Sequence, residues 1–418
     1  MRFPSAESTV ATREFTLPPG DDVIGDLAKI TTKRGDTLPD IARHFSLGHN
    51  DVAGANPSVD VWVPPAGARV LLPLQFVLPD EAPRQGIVLN VATMRIYYYP
   101  VDAQDARVFT YPVGIGREGW ATPTGHMRII EKKEQPDWRV PASIRKEHAQ
   151  MGDPLPAVVP AGPDNPLGEF AMRLTRPEYL IHGTNKPYGI GMRVSHGCVR
   201  LYPEDIQPLF QSAALSTDVH LIDQPYLLGW RGDVLYLEAH PPLQKSNRKL
   251  KKLIGQLVRK IEREENSGKT TIDWDRVERI VTTANGVPEP ISTDTKSWID
   301  MVADSQRVRH PGTFYGTPKA PPMTSDGWYV DAGTFSDSLA AKRVAAIFNH
   351  QGPQIPAHSI THDGAYKVIA GPFESAIAAK LVSKRIQREF EQPTQILPPG
   401  TLRSSNNNPD NKSSFSSG

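Results

Sequence analysis

The sequence predicts an α+β multidomain protein: a β-rich central domain flanked by a βααβ module and by a module built on a βα repeat. Three observations predict it. Residues 79–225 are short apolar runs broken by Gly and Pro, the pattern of a β-sandwich or barrel. Residues 27–78 read as strand, helix, short helix, strand. Near the C-terminus, Ala332-Gly333-Thr334-Phe335 followed by Ala340-Ala341-Lys342 recurs as Ala370-Gly371-Pro372-Phe373 followed by Ala378-Ala379-Lys380.

Composition bounds the reading. A chain of 418 residues holds roughly two to four domains. It is 39% hydrophobic and 22% charged with a net charge of +1, so no global field argues for nucleic acid or an anionic membrane. The 40 prolines point to turns and linkers. No apolar run reaches the ~18 residues of a membrane span. The stretch Met1-Arg2-Phe3-Pro4-Ser5-Ala6-Glu7 lacks an apolar leader core. The protein is then cytosolic, or its leader has been removed.

Taken in order, residues 1–26 are polar with Pro and Gly and read as a poorly constrained lead-in. Ile30-Thr31-Thr32 is strand-like. Gly35-Asp36-Thr37-Leu38 opens a helix, and Leu38, Ile41, Ala42 and Phe45 keep helical spacing. Asn56-Pro57 marks a turn, and Arg69-Val70-Leu71-Leu72-Pro73 closes the unit as a strand. In the central domain, 79–225, helices are expected over 141–149 and 203–212, the second starting at Pro203 with Glu204 and Asp205 in its first turn. Leu250, Leu253, Ile254, Leu257, Val258 and Ile261 form a helical stripe, so 226–290 is expected to be a helical extension packed on the central domain. Residues 291–325 read as a linker, 326–398 as the repeat module and 399–418 as a disordered tail.

The chemistry concentrates at Ile181-His182-Gly183-Thr184 and Ser195-His196-Gly197-Cys198-Val199-Arg200-Leu201. Cys198 is the single cysteine of the sequence, so it forms no disulfide within the chain. A nucleophilic thiol needs a base or cation that favours the thiolate, and glycines let substrate and backbone N–H groups approach. Two other readings exist, a small buried hydrophobe and a zinc site of His182, His196 and Cys198. The lack of apolar neighbours weighs against the first, and the lack of a second cysteine against the second. No metal and no cofactor is expected.

Three resemblances follow from these residues. The segments Gly35-Asp36-Thr37-Leu38, Ile41-Ala42, Asn56-Pro57 and Val70-Leu71-Leu72-Pro73 resemble a LysM module, which binds N-acetylglucosamine-containing glycans. Trp328–Phe335 and Tyr366–Phe373 resemble the SPOR domain, a ferredoxin-like fold that binds peptidoglycan strands stripped of stem peptides. That likeness implies glycan contacts for Trp328, Tyr329, Phe335, Tyr366 and Phe373. The His182…Ser195-His196-Gly197-Cys198 pattern resembles the L,D-transpeptidase (YkuD) catalytic domain, in its ErfK/YbiS branch. Thr122-Pro123-Thr124-Gly125, Pro160–Gly168 and Gly189–Leu201 extend the likeness.

That resemblance implies a YkuD-type β-sandwich with Cys198 as nucleophile and His182 as base and acid, its ring oriented by the Gly183 carbonyl. The N–H groups of Gly197 and Cys198 are the candidate oxyanion hole, and such a donor is worth ~2.7–4 kcal/mol in a transition state. His196 would support the loop or the thiolate. Arg200 would bind a substrate carboxylate or tether the loop. Ser195, Asn185 and Tyr188 are candidate substrate contacts. The implied reaction takes a peptidoglycan tetrapeptide stem to a thioester. That thioester is then passed to a second stem, giving a 3→3 cross-link, or to the terminal lysine of an outer-membrane lipoprotein. A carboxypeptidase or amidase hydrolysing the same bond, and a non-catalytic septal scaffold, are the alternatives. The resemblance also implies acylation of Cys198 by carbapenems and a periplasmic location, with the leader removed, and the SPOR likeness implies a septal site of action.

Overall fold

A computed structural model describes residues 10–100, 106–150, 152, 154–243, 246–362 and 364–402. The chain divides into two compact units between Gly316 and Thr317.

The first unit is organised by a nine-stranded sheet. Its order is Glu14–Thr16, Arg107–Pro112, Arg95–Tyr99, Gly86–Asn90, Asp218–Ile222, Gly125–Glu134, Phe170–Leu174, Leu180–His182 and Val199–Arg200. Neighbours are antiparallel except Gly86–Asn90 with Asp218–Ile222 and Leu180–His182 with Val199–Arg200. The long strand Gly125–Glu134 turns the corner. Gly125 to Arg128 pair with Asp218–Ile222, and Ile129 to Glu134 pair with Phe170–Leu174, with a bulge between Ile129 and Glu131. Both halves feed one cluster, Ile87, Leu89 and Ile96 from one side and Met172, Ile181 and Val199 from the other. Leu209 and Phe210 of the helix Pro203–Ser212 join it. The sandwich is therefore one sheet folded over a shared core.

The opposite face of the first half carries Val88, Tyr97, Tyr99 and Val108. These pack with Ile41, Phe45, Leu47, Val52 and Leu72 of the N-terminal module. That module shows the strand–helix–helix–strand order: Ala28–Thr31, Leu38–His44, His49–Ala55 and Arg69–Leu72, with its strands antiparallel. Thr37 caps the first helix by accepting the Asp40 N–H at 3.1 Å.

Several expectations need correcting. The lead-in is not loose from Glu14 on: Glu14–Thr16 pairs with Arg107–Pro112, and Phe15 is only 5% exposed in the module's core. The extension at 226–290 is half sheet. Tyr226–Arg231 and Val234–Ala239 form a hairpin turned by Gly232 at φ +58°, and Glu289–Pro290 adds a third strand. The helix Asn247–Asn266 lays Leu257 and Ile261 on that small sheet, not on the nine-stranded one. The supposed linker is folded as far as Phe314. Ser297 caps the helix Trp298–Asp304, and Gln306–Arg307 pairs in parallel with Ala28 and Lys29. Phe314 is buried in the module's cluster.

The second unit has four antiparallel strands in the order Ala357–His362, Ala365–Phe373, Trp328–Phe335, Gln395–Leu397. The two repeated βα units are Trp328–Phe335 with Ser338–Asn349, and Ala365–Phe373 with Ala376–Phe390. Asp337 and Ser375 cap the helices at equivalent positions. Small residues Ala341, Ala345 and Ala379 let the helices approach the sheet. Gly371 sits at φ +129°, where a Cβ would meet the Tyr329 ring at 2.7 Å. Of the five aromatic residues expected to contact glycan, Trp328, Phe335, Tyr366 and Phe373 are half-buried and pack against the core on the helix side. Tyr329 faces the other way but is 2% exposed, its hydroxyl bound to the Thr324 N–H and carbonyl. The register shifts between Trp328 and Val330 and between Asp331 and Thr334 bring Trp328 and Phe335, of opposite parity, to the same core. Of the expected tail, residues 403–418 lie outside the described residues.

Candidate active site

The parallel strands Leu180–His182 and Val199–Arg200 build the site. Ile181 is in register with Val199 and His182 with Arg200. Alternation sends Ile181, Val199 and Leu201 into the core, so His182, Arg200 and the adjoining Cys198 share the opposite face. Electrostatics agrees, because the Arg200 charge acts on both His182 and Cys198.

Cys198 ends a turn that is clamped from two sides. Ser195 Oγ donates to the Cys198 carbonyl at 2.6 Å and accepts the Gly197 N–H at 3.1 Å. Thr122 Oγ1 donates to the Gly197 carbonyl at 2.9 Å and accepts the Gly116 N–H at 2.9 Å. Gly197 has φ +106°, and a Cβ there would press on the Tyr179 ring at 3.1 Å, so glycine is required. Because its N–H is committed to Ser195, Gly197 is not a free oxyanion donor, which corrects that expectation. Among the described residues the Cys198 N–H has no acceptor. Ser195 is a brace of the turn and makes no use of its hydroxyl toward a cleft.

The thiol is half-buried, and its Sγ donates to the Glu178 carbonyl at 3.4 Å. Burial pushes the thiol up, while the Leu180 N–H and the Arg200 charge favour the thiolate. His182 is 2% exposed, and burial, then Arg200, lower its pKa to about 3. The resting pair is therefore neutral thiol and neutral imidazole. The carbonyls of Gly183 and Leu167 favour the charged ring, yet among the described residues no hydrogen bond of ordinary geometry reaches His182 Nδ1. The Gly183 carbonyl stands where an orienter is expected, without closing the bond in this state. Burial lowers the Arg200 pKa, and its Nε is buried with no partner among the described residues.

His196 supports the loop and is not spent on the sulfur. Its Nε2 lies 2.8 Å from Glu147 Oε2, and its ring meets Trp120 edge-on at 5.0 Å. Asn185 Nδ2 reaches the Pro163 carbonyl at 3.3 Å. The Tyr188 hydroxyl is spent on structure: it lies 3.2 Å from Asp40 Oδ1 and 2.8 Å from the Gly316 carbonyl, tying the site's rim to the N-terminal module. The motif reading missed Arg117, Trp120, Thr122, Glu147 and Tyr179. Only Thr122 carried a signal, the Thr122-Pro123-Thr124-Gly125 turn.

Comparison with known proteins bears on this geometry. Residues 84–221 match the model of the L,D-transpeptidase catalytic domain, YkuD, and residues 324–396 that of the SPOR domain. The probable L,D-transpeptidase ErfK/SrfK of Escherichia coli K12 is 42% identical over 237 residues, covering 56% of this chain and 75% of that protein. The chain belongs to the L,D-transpeptidase family. The probable L,D-transpeptidase ErfK/SrfK of Salmonella typhimurium is 38% identical over 289 residues, covering 66% and 91%. The probable L,D-transpeptidase YbiS of E. coli K12 is 42% identical over 241 residues, covering 56% and 78%. An L,D-transpeptidase domain joined to a SPOR domain implies peptidoglycan binding at the cell envelope. Among the described residues no helix is long and apolar enough to cross a membrane. Neither family model covers the N-terminal βααβ module.

Proposed function

We propose that this L,D-transpeptidase acylates Cys198 with the third residue of a peptidoglycan tetrapeptide stem. His182 takes the thiol proton as sulfur attacks the carbonyl carbon. The Cys198 N–H holds the oxyanion, and the proton passes to the departing D-alanine amine as the C–N bond breaks. A thioester remains. An acceptor amine then attacks it, His182 receives the amine proton, and the thiol is restored. The Arg200 guanidinium, whose Nε has no partner among the described residues, takes a stem carboxylate. The observation that carries this reading is the parallel register that puts His182, Arg200 and Cys198 on one face.

Two acceptors suit a thioester at this site, the side-chain amine of a second stem and the terminal lysine of an outer-membrane lipoprotein. The SPOR domain favours work in the periplasm at septal peptidoglycan, with the βααβ module as a second glycan contact. Intact-mass analysis with tetrapeptide muropeptides tests the reading. The wild type gains a stem adduct and releases D-alanine; Cys198→Ala does neither. A 3→3 dimer identifies the stem acceptor, and resolution only on adding a lipoprotein C-terminal peptide identifies tethering. If the wild type forms no adduct and yields no product while sacculi still bind, the catalytic reading is wrong.

A further inference from the structure

The neighbouring strands Gly125–Glu134 and Phe170–Leu174 are antiparallel, and a turn of ~2–5 residues would join them. The chain instead inserts residues 135–169, with a short ribbon, Trp138–Arg139 against Val158–Val159, and the helix Ala142–Gln150. That helix buries only Ile144, so apolar packing alone does not locate it.

A carboxylate does. Glu147 Oε2 meets His196 Nε2 at 2.8 Å, and Glu147 Oε1 meets the Arg117 guanidinium. Arg117 is anchored to the same turn through its N–H, 2.9 Å from the Ser195 carbonyl. Trp120 closes on the His196 ring from another side, and the His148 ring lies 6.3 Å away. Arg117 first, then His196, hold the Glu147 carboxyl below the usual carboxylate range, so the acceptor stays ionised. The turn is restrained by Ser195 from within, by Thr122 on the Gly197 carbonyl, by the Arg117 N–H on the Ser195 carbonyl, and by the Glu147–His196 contact from the insertion.

We propose that Glu147 is a positioning residue for acyl transfer, fixing through His196 and Arg117 the turn that presents the Cys198 thiol and N–H. Glutamine is the informative replacement. It keeps size but removes the charge that pairs with Arg117, and its NH2 meets His196 Nε2 only if the ring moves its proton to Nδ1.

The inference rests on Cys198 being the nucleophile, and wild-type acylation is measured alongside. If the wild type fails, the reading of the site is at fault; if only the variants disagree, this inference is. The experiment compares wild type, Glu147→Gln, His196→Asn and the double variant with a tetrapeptide muropeptide, reading kcat, KM, acylation rate and Tm. Glu147→Gln is expected to lose roughly 10- to 100-fold in kcat/KM, as misplaced reacting groups do, with the loss in kcat. If Glu147 acts through His196, the double variant is no slower than His196→Asn alone. An activity of Glu147→Gln within about 2-fold of wild type overturns the inference. So does a double variant in which the two losses multiply, whether or not Tm falls, because Glu147 then acts elsewhere or only on stability.

Discussion

The N-terminal βααβ module and the C-terminal SPOR domain flank the same catalytic sheet in the sequence, but different physics holds each. The module has no complete core of its own: Ile41, Phe45 and Leu47 share a cluster with Val88, Tyr97 and Val108 of the sheet. Arg43 adds a paired hydrogen bond to Glu204 at the start of the helix Pro203–Ser212, at 2.9 and 3.2 Å, with both side chains buried. Tyr188, Tyr202 and Tyr315 surround that guanidinium, with centroids 5.9, 6.0 and 5.0 Å away. The SPOR domain closes a core from its own strands and helices, Val330, Ala332, Phe348, Val368 and Ile386. A domain with its own core can be gained or lost as a unit; one that shares a core is part of the catalytic fold.

The largest effect that would sharpen this contrast comes from two truncations. A chain ending at Pro318 keeps every contact of the first unit, so its thermal transition and acylation rate should match those of the full chain. A chain ending at Lys296 loses the helix Trp298–Asp304, the strand Gln306–Arg307 and Phe314. It should unfold at much lower temperature or fail to accumulate. Equal behaviour of the two, read by calorimetry, would break the comparison. Next in size is Arg43→Ala, which strands Glu204 beside Asp205 in a buried place. Breaking one half of such a pair costs about 3–5 kcal/mol. Urea unfolding of the first unit measures it, and a loss under ~1 kcal/mol would mean that the pair behaves as a surface ion pair.

The same contrast explains what was legible in the sequence. Cys198, His182 and Arg200 stood out because few residue types can do their chemistry, and a short strand pairing brings them together. The βααβ order and the repeat were legible because apolar period and caps are local. Glu147, Arg117 and Trp120 were not, since they reach His196 from two distant segments and no local pattern marks a residue chosen for what it touches across a fold. The helix Trp298–Asp304 was hidden in a Pro- and Ser-rich stretch because its apolar side, Trp298, Met301 and Val302, makes sense only against Leu27 and Leu71. The hairpin Tyr226–Ala239 was overshadowed by the clearer helical stripe after it. For the SPOR aromatics, the resemblance implied glycan contacts, but the sequence could not show the register shifts that bring Trp328 and Phe335 to one core.

The smallest predicted effect concerns pH and belongs to the shared fold. His182 has a folded pKa near 3 against about 6.5 unfolded. Between these values the unfolded chain binds the proton that the folded one excludes. Stability from this group is thus whole above the unfolded value and drains away as pH falls toward the folded one. From pH 7 to pH 5 the linkage amounts to about 2 kcal/mol. His44, His49, His196 and His220 have lowered pKa values as well, so the contribution of His182 is read as a difference. His182→Gln should be less stable than wild type at pH 7, and the gap should narrow by about that amount at pH 5. Parallel stability curves for the two proteins would show that the imidazole is not held neutral by burial. The neutral thiol–imidazole resting pair inferred for the site would then have to be replaced by an ion pair.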